Sequence, residues 1–205
     1  AADLSLPPMT RRLIPVLLGL TLAACASSPP TRFFPLDPVP PAAPAAGAAA
    51  TGVPVKVDAV HVPPALDRDS MVRGESGNQL EISSEDRWAG DLGETIRRVL
   101  TQDLESRLPA GRVIAPQAPA PASARGLVVD ILTFQPQAGG EVVLDADWTL
   151  LEGAQSNPVL SRSVHLTAAA APSAQGEAAA MSTLLGGLAD GMASAINGAA
   201  NGEPP

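Results

Sequence analysis

The chemistry of this sequence is concentrated at one cysteine. Cys25 is the only thiol in 205 residues, and it directly follows Leu22, Ala23 and Ala24. A thiolate is the one strong nucleophile that such a stretch offers, and small residues at 23 and 24 leave room for a peptidase at the bond before it. Leucine, two small residues and cysteine in this order resemble a lipobox; the alternative is an ordinary signal peptide with a chance cysteine. The expected chemistry is cleavage before Cys25, transfer of diacylglycerol to its sulfur and acylation of the new amino group. The upstream residues fit: Met9-Thr10-Arg11-Arg12 is a basic start, and Leu13 to Ala24 is an apolar run. That pattern is an export signal, shorter than the roughly 20 residues a membrane-spanning helix needs. Met9 reads as the initiator, because Asp3 makes residues 1–8 a poor opening for a signal. Several acyl chains give stable anchoring, at about 0.8 kcal/mol per buried CH₂. Ala26 and Ser27, with no aspartate after the cysteine, point to the outer membrane.

Other reactive residue types lack company. His61 and His165 have no neighbouring Cys or second His, whereas zinc needs three or four convergent ligands. They read as ordinary strand residues. Asp145 and Asp147 share a strand face, as an acid–base pair or a cation site would, but Thr149 continues the same polar face. They read as a solvated surface. Ser70 and Ser76 lie in no nucleophile-elbow context, and the glycines form no phosphate-cradling loop. Gly187 and Gly191 have small-xxx-small spacing, but Asp190 sits between them, which argues against a membrane dimer motif. The expectation is a protein that is not an enzyme, with no cofactor beyond the lipid on Cys25 and no metal. The net charge of −8 argues against nucleic-acid binding, which needs a basic surface. Aromatics at 2% disfavour a stacking platform, and one cysteine rules out internal disulfides.

Proline shows which parts are not packed, since it lacks an N–H donor and locks φ. Thirteen of the 22 prolines fall within residues 1–64, and none lies between Ala65 and Leu108. The division expected is a signal at 1–24, lipidated Cys25 with a Pro/Ala-rich tether at 25–52, a folded domain at 53–196 and a loose tail at 197–205. Fully extended, residues 26–52 reach on the order of 80 Å at about 3.1 Å per residue. Phe33, Phe34 and Leu36 interrupt this tether, either as a short strand docked on the body or as exposed linker residues.

Within the body, alternation and β-branched residues predict strands at 54–62, 70–73, 79–82, 112–115, 126–134, 141–151 and 159–167. Glu75 to Asn78 supply turn chemistry between the second and third, and Gly139-Gly140 a later turn. Ser83 and Asp86 resemble a capping box, followed by apolar residues from Trp88 to Leu108 at helical spacing. Asp91, Glu94, Arg97, Arg98, Asp103 and Glu105 are expected on that helix's polar face. A second helix is predicted at 175–196, where Gly186, Gly187 and Gly191 suggest close packing on a sheet. The fold class is α/β: one domain, a mixed β-sheet packed by two main helices at about 84–108 and 175–196. Trp88 reads as a core anchor at the helix start.

One block is specific enough to compare with a known family. It comprises Val60 to Arg73, with Pro63-Pro64, Leu66-Asp67-Arg68 and Arg73; then Asn78-Gln79-Leu80; then Glu85 to Leu92, with Asp86 and Arg87-Trp88. This pattern resembles the ABC-type transport auxiliary lipoprotein family over roughly residues 31–196. The chain departs from the family at Phe34-Pro35-Leu36, where Tyr-x-Leu is usual, and at Asp91, where proline is usual. The resemblance implies a lipid-anchored protein on the periplasmic face of the outer membrane. It implies a non-catalytic docking subunit for a mammalian-cell-entry (MCE) tunnel protein in an intermembrane lipid-transport system, working as a homo-oligomeric ring. Leu66, Asp67, Arg68, Arg73, Arg87 and Trp88 are the family-motif residues, structural or interfacial. The alternative is a free-standing periplasmic lipid- or ligand-binding lipoprotein, which needs an apolar cavity.

Overall fold

The computed structural model describes residues 29–41, 52–74, 79–153 and 157–201. Cys25, the lipobox Leu22-Ala23-Ala24 and the turn at Glu75 to Asn78 lie outside the described residues. The elements of the body are β1 (Arg32–Phe34), β2 (Val55–His61), β3 (Ser70–Gly74), β4 (Leu80–Trp88), α1 (Leu92–Arg107), β5 (Val113–Ile114), β6 (Arg125–Pro136), β7 (Glu141–Glu152), β8 (Asn157–Ala169) and α2 (Ala174–Asn201). The strands form two sheets rather than one. The larger runs β5-β2-β6-β7-β8, and a smaller one runs β1-β4-β3.

The larger sheet is mixed. β2 pairs parallel with β5 and β6, while β6-β7-β8 is an antiparallel meander. Gly139 and Gly140 take positive φ in the β6–β7 turn, where a side chain would be strained. Strict alternation along β7 sends Val142, Leu144, Ala146, Trp148 and Leu150 to the side covered by the helices. Leu127, Val129, Ile131 and Phe134 of β6 join them. From α1 come Leu92, Ile96, Val99, Leu100 and Leu104; from α2 come Met181, Leu184, Leu185, Leu188, Met192 and Ile196. The opposite side of the sheet carries the polar residues of β6, β7 and β8, as an antiparallel sheet covered on one side should. α2 is long and apolar enough to cross a membrane by length and composition, but 61% of that stretch is buried inside the body.

The first helix starts later than the sequence pattern suggests. Residues 80–88 are strand, and α1 begins at Leu92. The local signal at Ser83 is real but serves another end. Its Oγ accepts from Asp86 N–H at 2.9 Å, within a bulge of β4. Ser70 pairs with Arg87 and Val72 with Ile82, so Ser83 to Asp86 face Met71 alone. Pairing of β4 with β1, more than 50 residues earlier, is invisible to local periodicity and overrides it. The helix cap is Asp91, whose Oδ1 accepts from Glu94 N–H at 2.8 Å. Trp88 therefore ends a strand instead of opening a helix. α2 also runs past residue 196, to Asn201.

The N-terminal boundary moves too. Phe33, Phe34 and Leu36 are part of the body: Arg32, Phe33 and Phe34 pair in parallel with Asp86, Arg87 and Trp88, and Leu36 is wholly buried. Trp88 joins the core at 7% exposure, and its N–H donates to Asp69 O at 2.7 Å. Trp88→Ala is expected to cost about 3–5 kcal/mol of unfolding free energy, the range for a buried aromatic truncation. Denaturant titration checks it, and a loss under about 1 kcal/mol would assign the indole to the surface.

Candidate functional site

After β1 the chain continues as an extended strap through Pro35, Pro38, Pro40 and Pro41. Proline favours this extended form and removes backbone donors. The donors and acceptors that remain need partners once buried, and the two helices supply them. Leu36 O accepts from Arg98 Nη2 at 3.2 Å, and Asp37 N–H donates to Ser182 Oγ at 3.1 Å. Val39 N–H donates to Asp103 Oδ1 at 2.8 Å, and Arg107 Nη1 donates to Val39 O at 3.0 Å.

Asp103 is thus no part of a polar helix face; it is 0% exposed. Arg107 Nη1 reaches Asp103 Oδ1 at 3.3 Å, one helical turn away, and Arg107 Nε donates to Asp190 Oδ1 on α2 at 2.6 Å. The chain Asp103–Arg107–Asp190 ties α1, the strap and α2 together. Burial pushes the Asp103 carboxyl above its ordinary range, opposed by Val39 N–H and Arg107. Asp103 Oδ2 finds no donor among the described residues. Gly186 explains itself here, since a Cβ on it would meet Val39 Cβ at 3.1 Å. That glycine makes room for the strap, while Gly187 lies near Leu166 of the large sheet and Gly191 faces open space.

A second charged chain spans the small sheet. Arg73 on β3 grips Glu177 of α2, with Nε to Oε1 at 2.8 Å and Nη2 to Oε2 at 2.7 Å. Its Nη2 also lies 3.3 Å from Asp86 Oδ2, and Asp86 Oδ1 takes Arg32 Nε at 2.9 Å. Four residues on α2, β3, β4 and β1 are linked in series. The Glu177 hydrogen bond, above all, holds the Arg73 guanidinium well above the ordinary arginine range, with Asp86 adding to it. The other family-motif residues separate by role. Leu66 is buried in the core, and the Asp67 N–H closes the turn on Pro63 O at 3.0 Å. Arg68 is exposed and Arg87 half-buried, and neither forms an ion pair among the described residues.

The open side of the large sheet brings together residues that look isolated in sequence. His61 Nδ1 lies 2.7 Å from Asp130 Oδ1 across β2 and β6, and His165 Nδ1 lies 2.6 Å from Asp145 Oδ1 across β7 and β8. Asp147 stands opposite Asp130 in register. Periodicity placed each residue on a strand, but only the strand order makes them neighbours. No group of three or more metal-ligating residues converges among the described residues. The clefts at the surface are open and partly polar. One of about 430 Å³ is lined by Arg73, Glu81, Gln137 and Glu177. The space between sheet and helices is filled by Trp148, Phe134, Leu100, Leu104, Leu144 and Met181, each almost fully buried.

Two outcomes follow from the charged chains. Arg73→Ala leaves Asp86 and Glu177 facing each other without the guanidinium, at a cost of about 3 kcal/mol. Arg73→Lys recovers only part of this in chemical denaturation, because an ammonium cannot make the forked contact. Asp103 sets a pH dependence of known sign. The folded state holds its proton to higher pH than the unfolded chain. Its contribution to stability therefore falls as pH rises from the ordinary carboxylate value of 3.8 through the raised folded value. Asp103→Asn removes that fall, so the variant gains on the native chain in unfolding midpoint as pH rises above 3.8.

The relatives agree with this architecture. Residues 34–193 match the family model described as the ABC-type transport auxiliary lipoprotein component. The intermembrane transport lipoprotein PqiC of Escherichia coli is 26% identical over 140 residues, covering 68% of this chain and 74% of PqiC. PqiC of Shigella flexneri gives the same figures. A crystal structure of a Xanthomonas campestris protein shares the fold with a TM-score of 0.66 at 14% identity, covering 84% of this chain and all of its own. The strap begins where the family match begins, and its helix clamp lies inside that match. The chain belongs to the ABC-type transport auxiliary lipoprotein family.

Proposed function

We propose that this protein is a non-catalytic docking subunit of an intermembrane lipid-transport system. It is held at the periplasmic face of the outer membrane by acyl chains on Cys25, and it receives an MCE-type tunnel protein as a homo-oligomeric ring. The observation that carries this reading is the relationship to PqiC, an intermembrane transport lipoprotein, over most of the folded body. The packed interior supports docking over lipid carriage. Phe134, Trp148 and Leu144 occupy the space between sheet and helices where a carrier would hold an acyl chain. Arg68, exposed and not engaged in an ion pair among the described residues, is the motif residue best suited to meet a partner.

Cys25→Ser is expected to leave the body folded while moving it out of the outer-membrane fraction. Continued outer-membrane fractionation would contradict the anchor. Affinity capture from detergent extracts is expected to recover an MCE-domain protein, and repeated failure where other envelope complexes survive sinks the docking role. Native mass spectrometry of the delipidated body separates the two roles. An empty ring supports docking, and a monomer carrying lipid supports a free-standing binder.

A further inference from the structure

We infer that the outer face of the small sheet, around Phe33, rests on the lipid headgroup surface of the membrane that holds Cys25. This rests on the proposed acylation of Cys25 and goes beyond it by assigning the face of the body that meets lipid.

The first argument is length. With residues 26–52 free, the body would reach on the order of 80 Å from its anchor. β1 and the strap remove most of that freedom, because Arg32 to Phe34 are paired into the sheet and Leu36 and Val39 are fixed on the helices. Seven residue steps separate Cys25 from Arg32. Whatever path they take, they span at most about 25 Å. A lipid-modified Cys25 lies at the membrane surface, so β1, the first strand after it in the chain, is tethered within about that distance of the membrane.

The second argument is what that sheet exposes. Phe33 is 64% exposed, Ile82 49% and Leu80 42%, and they are three of the five large apolar residues the body leaves in solvent. Pairing register puts them on one side. Phe33 is opposite Arg87, Arg87 opposite Ser70, Val72 opposite Ile82 and Gly74 opposite Leu80; Val72, between the exposed side chains, is itself buried at 6% exposure. The inward side holds Asp86, Trp88 and Arg73 instead. An aromatic ring beside aliphatic side chains suits the boundary between headgroups and acyl chains. Arg87 on the same side suits phosphate, since a guanidinium donates in a planar fork that phosphate oxygens accept. The open side of the large sheet carries Asp130, Asp145 and Asp147 and is unsuited to an anionic surface. With a chain charge of −8, only a local patch of this kind can face lipid without repulsion.

The test uses the full lipoprotein, purified with its anchor and placed in vesicles of phosphatidylethanolamine and phosphatidylglycerol containing brominated phosphatidylcholine. Mass spectrometry first establishes acylation of Cys25. Trp88 and Trp148 are buried and give a low quenching background. In Phe33→Trp, brominated lipid is expected to cut the added emission roughly twofold, as an indole seated several ångströms into the interface requires. Ile82→Trp should follow it, and Val159→Trp, on the exposed edge strand β8, should not. If the chain is acylated and the Phe33→Trp emission is no more quenched than that of Val159→Trp, the orientation is overturned while the anchor stands. A blue-shifted but unquenched emission overturns it equally and assigns the face to a protein contact. An unacylated Cys25 overturns both the anchor and the orientation.

Discussion

The structure depends on the capture of its own N-terminal strap. Residues 32–39 are held at one end by parallel pairing with β4 and at the other by the buried Asp103 and Arg107 of α1 and by Ser182 of α2. The proline-rich composition makes this possible. An extended segment with few N–H groups brings few donors to satisfy, and those of Asp37 and Val39 meet side-chain acceptors. Asp103 accepts the Val39 N–H, and Arg107 caps the carbonyl of the same residue. Burying Asp103 and Arg107 is costly, and their mutual contact with Asp190 offsets that cost only while the strap lies in place. Strap, helix seam and ion pair therefore form one unit.

The Arg73 chain extends the same logic to the small sheet. Glu177, Arg73, Asp86 and Arg32 join the last helix to the first strand through β3 and β4. Two of these residues lie within the family's most recognisable block, and a third, Glu177, lies in the last helix. That spacing makes sense if the block fixes how the termini of the domain meet. The small sheet touches the larger one through β3 and β6; its inward side is bonded, while its outward side exposes Phe33, Leu80 and Ile82 beside Arg87.

This division bears on function. A body with a packed interior has only surfaces to work with. One sheet side is polar and acidic, with two His–Asp pairs across its strands. The other exposed side, on the small sheet, is apolar with Arg87 beside it.

Local sequence determined the lipobox, the strands β2, β3 and β6 to β8, the apolar stripe of α2 and the inward side of β7. Each rests on short-range periodicity or on a contiguous motif, which the chain carries whatever its partners are. Tertiary structure decided the rest. Asp86 to Trp88 became strand because β1 pairs with them from far away in sequence. Asp103 became a core residue because a distant backbone N–H needed an acceptor. His61 and His165 gained carboxylate partners only through strand order. Cys25 stands out in sequence because its chemistry needs only the three residues before it. How far the body can move from Cys25 was not legible there, because tether length depends on where the chain is next held, and that is a long-range contact.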